Sequence, residues 1–434
     1  MKITSTLSMV VLTVLAMSGC MKSPEQPKFS AFNTKSAKLA EIPAGFEVDG
    51  ITFGVNGRQV AFITIKDGKR SMSVDGKSTL PFDGVRDLIR YKDSDKYAFV
   101  ASKGGKEFVV VNGSEGVLYD AIDWLMFAPD GRVIYEAKRG DKWLVVTGKP
   151  ESSLFSAGVS TPIMSSDGKL LAYVETHGEN KKVNLRVCTL EMNDCISGND
   201  YDSISGIKGD LTSSKLSYIA LKNNKKCLVT VDFKAPGLKE KESAWYDEVT
   251  SFNFSEDGEH LAFLAGRGNK NFLVKNSVET MIPPHEIVFD LLVAQNGRVF
   301  YTTLANNKVR AFLDGVMIGK EYGGIEYPVF NNDGTQMAYV VNKGSKSSVV
   351  LNGVEGPEFD KVVTPRFSPD GKMIVYRARN NGKRFVIVSD LQGKITREHP
   401  HYEAVWDVSF SPDGKSVGYG VKVGNELWWK VEKL

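Results

Sequence analysis

His399 and His401 stand two residues apart in the tripeptide His-Pro-His. Two imidazoles at i and i+2 on one strand face the same way and could share a metal ion. No third ligand is identifiable nearby, and Pro400 argues for a loop. A metal-assisted lyase or hydrolase is the enzyme class this pair admits. Residues 414–418 read Gly-Lys-Ser-Val-Gly and match G-x-S-x-G. A nucleophile elbow needs a strand-to-helix turn, and here a strand-like segment follows. Patterns for zinc proteases, Walker-type loops and dinucleotide folds are absent, so no cofactor and no catalytic residue is assigned.

Acids occur in two recurring settings. Asp130, Asp167, Asp257, Asp333, Asp370 and Asp413 each precede a glycine, and the hexapeptide Phe-Ser-Pro-Asp-Gly-Lys is identical at 367–372 and 410–415. Aspartate bonds its own turn and glycine supplies the special backbone angle, so these acids read as structural. Asp83, Asp120, Asp202, Asp247, Asp360 and Glu403 instead follow an aromatic residue and precede a β-branched one by two positions. Capping of local backbone amides is the simpler role for them. The other is an acidic binding rim, with Trp124 and Trp406 nearby, that attracts cations or a basic partner. Cys188 and Cys195 flank a short turn and could pair in an oxidising compartment. Cys227, in an apolar run, reads as a buried small residue.

The elements that position these residues repeat. Looser copies of the hexapeptide begin at Phe53, Tyr91, Phe127, Met164, Leu211, Phe254, Val293 and Phe330. With the two identical copies they make ten units, mostly 36 to 39 residues apart, with steps of 47 and 43 in the middle and 43 before the last. Each unit gives a strand end, a tight turn, an alternating second strand, a Gly/Asn/Lys turn, a third strand and a short fourth. Asn-Gly and Asp-Gly pairs after many third strands accept the positive φ of hairpins. Helical periodicity is nearly absent. The expected fold is therefore all-β, a β-propeller of four-stranded antiparallel blades. One ring of ten blades is the direct reading, and two smaller rings divided near 190–250 are the alternative. The last unit stops after its third strand. The segment 44–50, with Phe46 and Glu47 in the aromatic–acid places, is expected to supply the missing strand and close the ring.

These units resemble the TolB-like, WD-repeat-like propellers of the bacterial envelope over nearly all of residues 42–434. The resemblance implies a fold and leaves function open. Lys2, the apolar run 7–17 and the sequence Ser-Gly-Cys ending at Cys20 resemble a lipoprotein signal. That implies removal of residues 1–19, lipidation of Cys20, a tether over 20–41 and a propeller over 42–434. Because residue 21 is Met rather than Asp, the expected site is the outer membrane, facing the periplasm. Lysine and arginine number 55 against 52 acids, and no basic stripe stands out, so nucleic acid is a poor partner. The functional expectation is a non-enzymatic envelope lipoprotein acting as a platform for envelope proteins. A propeller that binds a glycan or small ligand is the alternative.

Overall fold

The computed structural model describes residues 32–91, 94–148, 152–155, 162–165, 167–190, 194–209, 215–232, 238–255, 257–282 and 287–434. Each repeat unit folds into one four-stranded antiparallel sheet, and there are ten such sheets. We number the blades 1 to 10 in chain order. Blade 1 spans 47–78, blade 2 84–115, blade 3 121–155, blade 4 163–197 and blade 5 203–242. Blade 6 spans 248–282, blade 7 287–322, blade 8 324–359, blade 9 361–398 and blade 10 404–433. The first strand of each unit lies at one edge of its sheet and the fourth at the other. No helix occurs among the described residues.

Both faces of the central strands are apolar because a blade is covered on both sides by its neighbours. Ala61 of blade 1 shares a buried cluster with Phe99 of blade 2, and Leu264 of blade 6 shares one with Tyr301 of blade 7. A separate cluster fills every junction, including Val386 with Val421 between blades 9 and 10 and Val60 with Leu427 between 1 and 10. The longer repeat steps do not divide the chain. Leu185, Tyr201 and Val229 join blades 4 and 5, and Ile219, Tyr246 and Phe263 join 5 and 6. The sheets therefore form one closed ring of ten blades.

The crossover aromatics serve these junctions. Phe82, Tyr119, Tyr201, Tyr246 and Phe359 are buried. Each packs edge-on against an aromatic of the next blade's second strand: Phe99, Tyr135, Tyr218, Phe263 and Tyr376, at centroid distances of 6.2, 6.1, 6.0, 5.9 and 6.1 Å. Such pairs contribute about 0.5–1.5 kcal/mol beyond the area they bury.

Blade 10 is closed from the N-terminal side, but not by the expected segment. The closing strand is Ala37–Glu41, which pairs with the last strand in the register Ala37↔Trp429 to Glu41↔Glu426. Residues 47–53 instead form the first strand of blade 1. The interaction begins further upstream still. The Phe32 ring lies 5.9 Å from that of Trp429, and Asn33 N–H donates to Asn56 O at 2.7 Å. Residues 32–41 therefore pack onto the ring, inside the stretch expected to be tether. Phe46 remains partly exposed beneath Lys66 Nζ, 5.1 Å from its ring centre.

Trp429 also explains two glycines. A Cβ on Gly57 would lie 2.1 Å from Trp429 Cε2, and one on Gly418 would lie 2.1 Å from its Cζ2. The glycine that completes the G-x-S-x-G match is thus a slot for an indole.

Candidate functional site: the crossover face and the channel wall

Two faces of the ring differ in chemistry. The turns between first and second strands lie on one face. Crossovers between blades, and the turns between second and third strands, lie on the other. On the first face the aspartates serve their turns. Ser368 Oγ donates to Asp370 Oδ1 at 2.6 Å, and Lys372 N–H donates to the same oxygen at 3.1 Å. Ser411 and Asp413 repeat this at 2.6 Å, with Lys415 N–H at 3.1 Å. These carboxyls sit below the ordinary carboxylate range, chiefly through the serine bond and then the backbone N–H.

On the crossover face the acids form a repeated latch. One oxygen accepts the lysine that opens the third strand of its own blade. The other accepts a backbone N–H from the second turn of the next blade. Asp83 takes Lys69 and Gly104 N–H, and Asp120 takes Lys106 and Gly140 N–H. Asp202 takes Lys182 and Asn223 N–H, and Asp247 takes Lys225 and Gly268 N–H. Asp360 takes Lys346 at 2.6 Å and Asn381 N–H at 2.8 Å. The lysine first, and the N–H second, hold these five carboxyls below their ordinary range. Glu403 departs from the pattern. Its carboxylate lies 3.8 Å from Lys422, a residue of its following blade.

The two tryptophans are not on this rim. Both lie at the middle of first strands, where almost every blade carries a β-bulge. Trp124 is skipped between Asp123 and Leu125 in the pairing of blade 3, and its ring packs toward the cluster between blades 3 and 4. Trp406 falls in the bulge between Val405 and Val408, and its ring lies 5.2 Å from that of Phe53. Bulges re-aim side chains. Here they leave Asp87, Asp290, Tyr327 and Thr364 at φ of 56°, 50°, 53° and 49° on the innermost strands. For a tyrosine or a β-branched threonine such a φ is strained. The channel wall is thus irregular and mixed in charge: Arg86 pairs with Asp87, and Lys361 with Glu326 at 3.0 Å.

The histidine pair does not converge. His399 is buried, its ring stacked 6.0 Å from that of Tyr419, while His401 stacks on Phe385 at 4.0 Å and meets Glu398 at 2.8 Å. Pro400 sends the two rings to different blade junctions. No cluster of three or more metal-binding side chains occurs among the described residues. A disulfide joins Cys188 to Cys195, which are directly opposite across two strands of blade 4, and Cys227 is buried with its thiol pushed up to about 12 by burial. Cys20 lies outside the described residues.

Fold and faces together define a closed ten-bladed β-propeller, latched blade to blade on one face. No family model matches the chain, and no curated protein matches its sequence. Similar solved structures include a eukaryotic initiation factor, at TM-score 0.46 and 11% identity over 80% of this chain and 95% of that one. Another is an oligogalacturonate lyase in complex with manganese, at 0.35 and 12% over 72% and 96%. TolB from Acinetobacter baumannii aligns at 0.26 and 13% over 82% of each chain.

Proposed function

We propose that this chain is an envelope lipoprotein, anchored through Cys20, whose propeller presents its crossover face to a protein partner. The observation that carries the reading is the route of the N-terminal segment. Asn33 is bonded to Asn56 and Gly57, in the first turn of blade 1, on the face opposite the crossovers. From there the chain runs along Ala37–Glu41 toward the crossover face. An extended chain spans at most ~3.6 Å per residue, so the 13 residues from Cys20 to Asn33 reach at most about 47 Å from the turn face. Attachment of the tether at the turn face supports an orientation with that face toward the membrane and the crossover face toward the compartment. Propellers expose broad, rigid faces of this kind, and rigid scaffolds with variable turns suit binding of another protein.

Photo-crosslinking residues placed singly in cells test this. Lys103 and Lys343 mark the crossover face, and Lys372 and Lys415 the turn face. The expected result is a discrete adduct with one envelope protein from crossover-face positions only. Adducts of equal pattern from both faces, or only lipid and abundant porins, would overturn the reading.

A further inference from the structure

The ring supplies its own control: each blade repeats the same positions, so a position that departs from the others without a packing reason stands out. One row does so. At the crossover end of every blade except the fourth, one residue from each of the first three strands lies directly side by side. In blade 9 the row is Lys361↔Arg379↔Arg384, three cations in direct cross-strand register. The corresponding rows are Glu47↔Ile65↔Arg70 in blade 1, Gly84↔Ser102↔Glu107 in blade 2 and Ala121↔Lys138↔Trp143 in blade 3. They continue as Ser203↔Leu221↔Lys226, Glu248↔Gly266↔Asn271 and Ile287↔Leu304↔Val309 in blades 5 to 7. Blades 8 and 10 carry Gly324↔Asn342↔Ser347 and Ala404↔Lys422↔Leu427. None of these holds more than one cation.

Like charges directly opposite across strands destabilise a sheet. Blade 9 keeps three, and adds a fourth. Arg377, two residues before Arg379 on the same strand, joins the row in lining a cleft of about 190 Å³ between blades 9 and 10. Val363, Ala378 and Val405 complete the lining, which includes no carboxylate among the described residues. The guanidinium of Arg377 is oriented by the Thr364 hydroxyl and the Val405 carbonyl, each at 3.1 Å, and Arg384 donates to the Glu403 carbonyl at 2.6 Å. The neighbouring acids are engaged at the edge. Glu326 holds Lys361 at 3.0 Å, and Asp360 accepts Lys346 and Asn381 N–H at an edge that the charge of Arg379 also reaches. The departure of Glu403 from the latch belongs to the same place.

We propose that this cleft is a binding site for a phosphate group, as free phosphate or as a phosphomonoester. The planar guanidiniums of Arg379 and Arg384, with Arg377 beside them, offer fork-shaped donors that match phosphate oxygens. A phosphate dianion matches this cationic lining better than a single carboxylate does. The half-open cleft leaves room for a substituent on one oxygen. The site stands independently of the partner reading above.

Calorimetric titration of the folded chain with inorganic phosphate, glycerol 1-phosphate, succinate and chloride, at constant ionic strength, tests it. Phosphate or its ester should bind with a dissociation constant at or below about 1 mM, and raise the melting temperature accordingly. Tighter binding of the ester points to a carried phosphoryl group, and tighter binding of phosphate to the free ion. The variant Arg379→Gln/Arg384→Gln should lose at least about tenfold in affinity. Lys372→Gln, on the opposite face, should bind as the parent does. Removing Arg379 should also leave the melting temperature unchanged or raised, because it relieves repulsion within the row. A row kept for structure would instead melt lower on substitution. No binding by the parent, equal affinity for chloride or succinate, or full binding by the double variant would overturn the proposal.

Discussion

At the level of single residues, the acids of this ring act on the backbone and on neighbouring lysines. Asp120 shows the pattern: Lys106 on one oxygen, Gly140 N–H of the next blade on the other. Their lowered pKa values give a pH dependence with a definite sign. A carboxyl depressed in the folded state contributes stability above its unfolded pKa of about 3.9 and loses it as pH falls through the folded value. The latches therefore weaken only in strong acid. His399 titrates in a different window. Burial, and then Arg397, lower its pKa from 6.5 to about 4. Between those values the unfolded chain binds a proton that the folded chain does not, so stability falls as pH drops from 6.5 to about 4. The loss is on the order of 3 kcal/mol across the window. Melting temperatures measured from pH 7 to 4 should decline in the parent and stay flatter in His399→Leu. An undiminished decline in that variant would show that another group sets this dependence.

At the level of strands and turns, the sequence discloses what repeats and conceals what does not. The turn motifs and crossover aromatics mark blade after blade, because burial between two neighbouring blades imposes the same demands each time. The closing strand escaped detection for a physical reason. Ala-Lys-Leu-Ala-Glu at 37–41 has no β-branched residue, and Ala, Lys and Glu are depleted in strands. It is held by pairing to the last strand and by Lys38, which reaches Glu41 at 2.7 Å and Glu426 at 2.6 Å. Residues 44–50 read more like a strand, and 47–50 do form part of one, in blade 1. At the histidine pair Pro400 breaks the alternation that would align the two rings, as its place in the sequence suggests. The cationic row of blade 9 was visible in principle as Arg-Ala-Arg followed by Lys-Arg, but only an alignment of the repeats with strand register makes it unusual. Gly57 tests how tightly one turn is fitted to its neighbour. Its φ of 70° and the 2.1 Å approach of Trp429 leave no space for a methyl group. Gly57→Ala should cost at least ~2 kcal/mol, read as a lower denaturation midpoint. A midpoint equal to the parent's would mean that Trp429 and residues 32 and 33 are free to shift.

For the whole molecule, closure is the property that a list of blades does not contain. Ten sheets in an open array would behave as a one-dimensional repeat, with stability built from nearest-neighbour terms and unfolding able to start at either end. Closing the ring removes both ends, because blade 1 packs on blade 10 through Val60, Phe62, Ala40 and Leu427. The closing strand takes part in that junction and also covers the edge of the last strand. Deleting residues 32–41 should therefore do more than shorten one sheet. It exposes the edge of Glu426–Lys433, unseats Trp429 and loosens the junction between blades 10 and 1. Chemical denaturation should broaden from one transition into several, with a lower slope, and the exposed edge should promote association visible by light scattering. A synthetic peptide of residues 32–43 added in trans should restore a single transition, because the same pairing is then made between chains. A truncated chain that stays monomeric and unfolds in one transition at the parent's midpoint would show that the ring holds together through the blade faces alone.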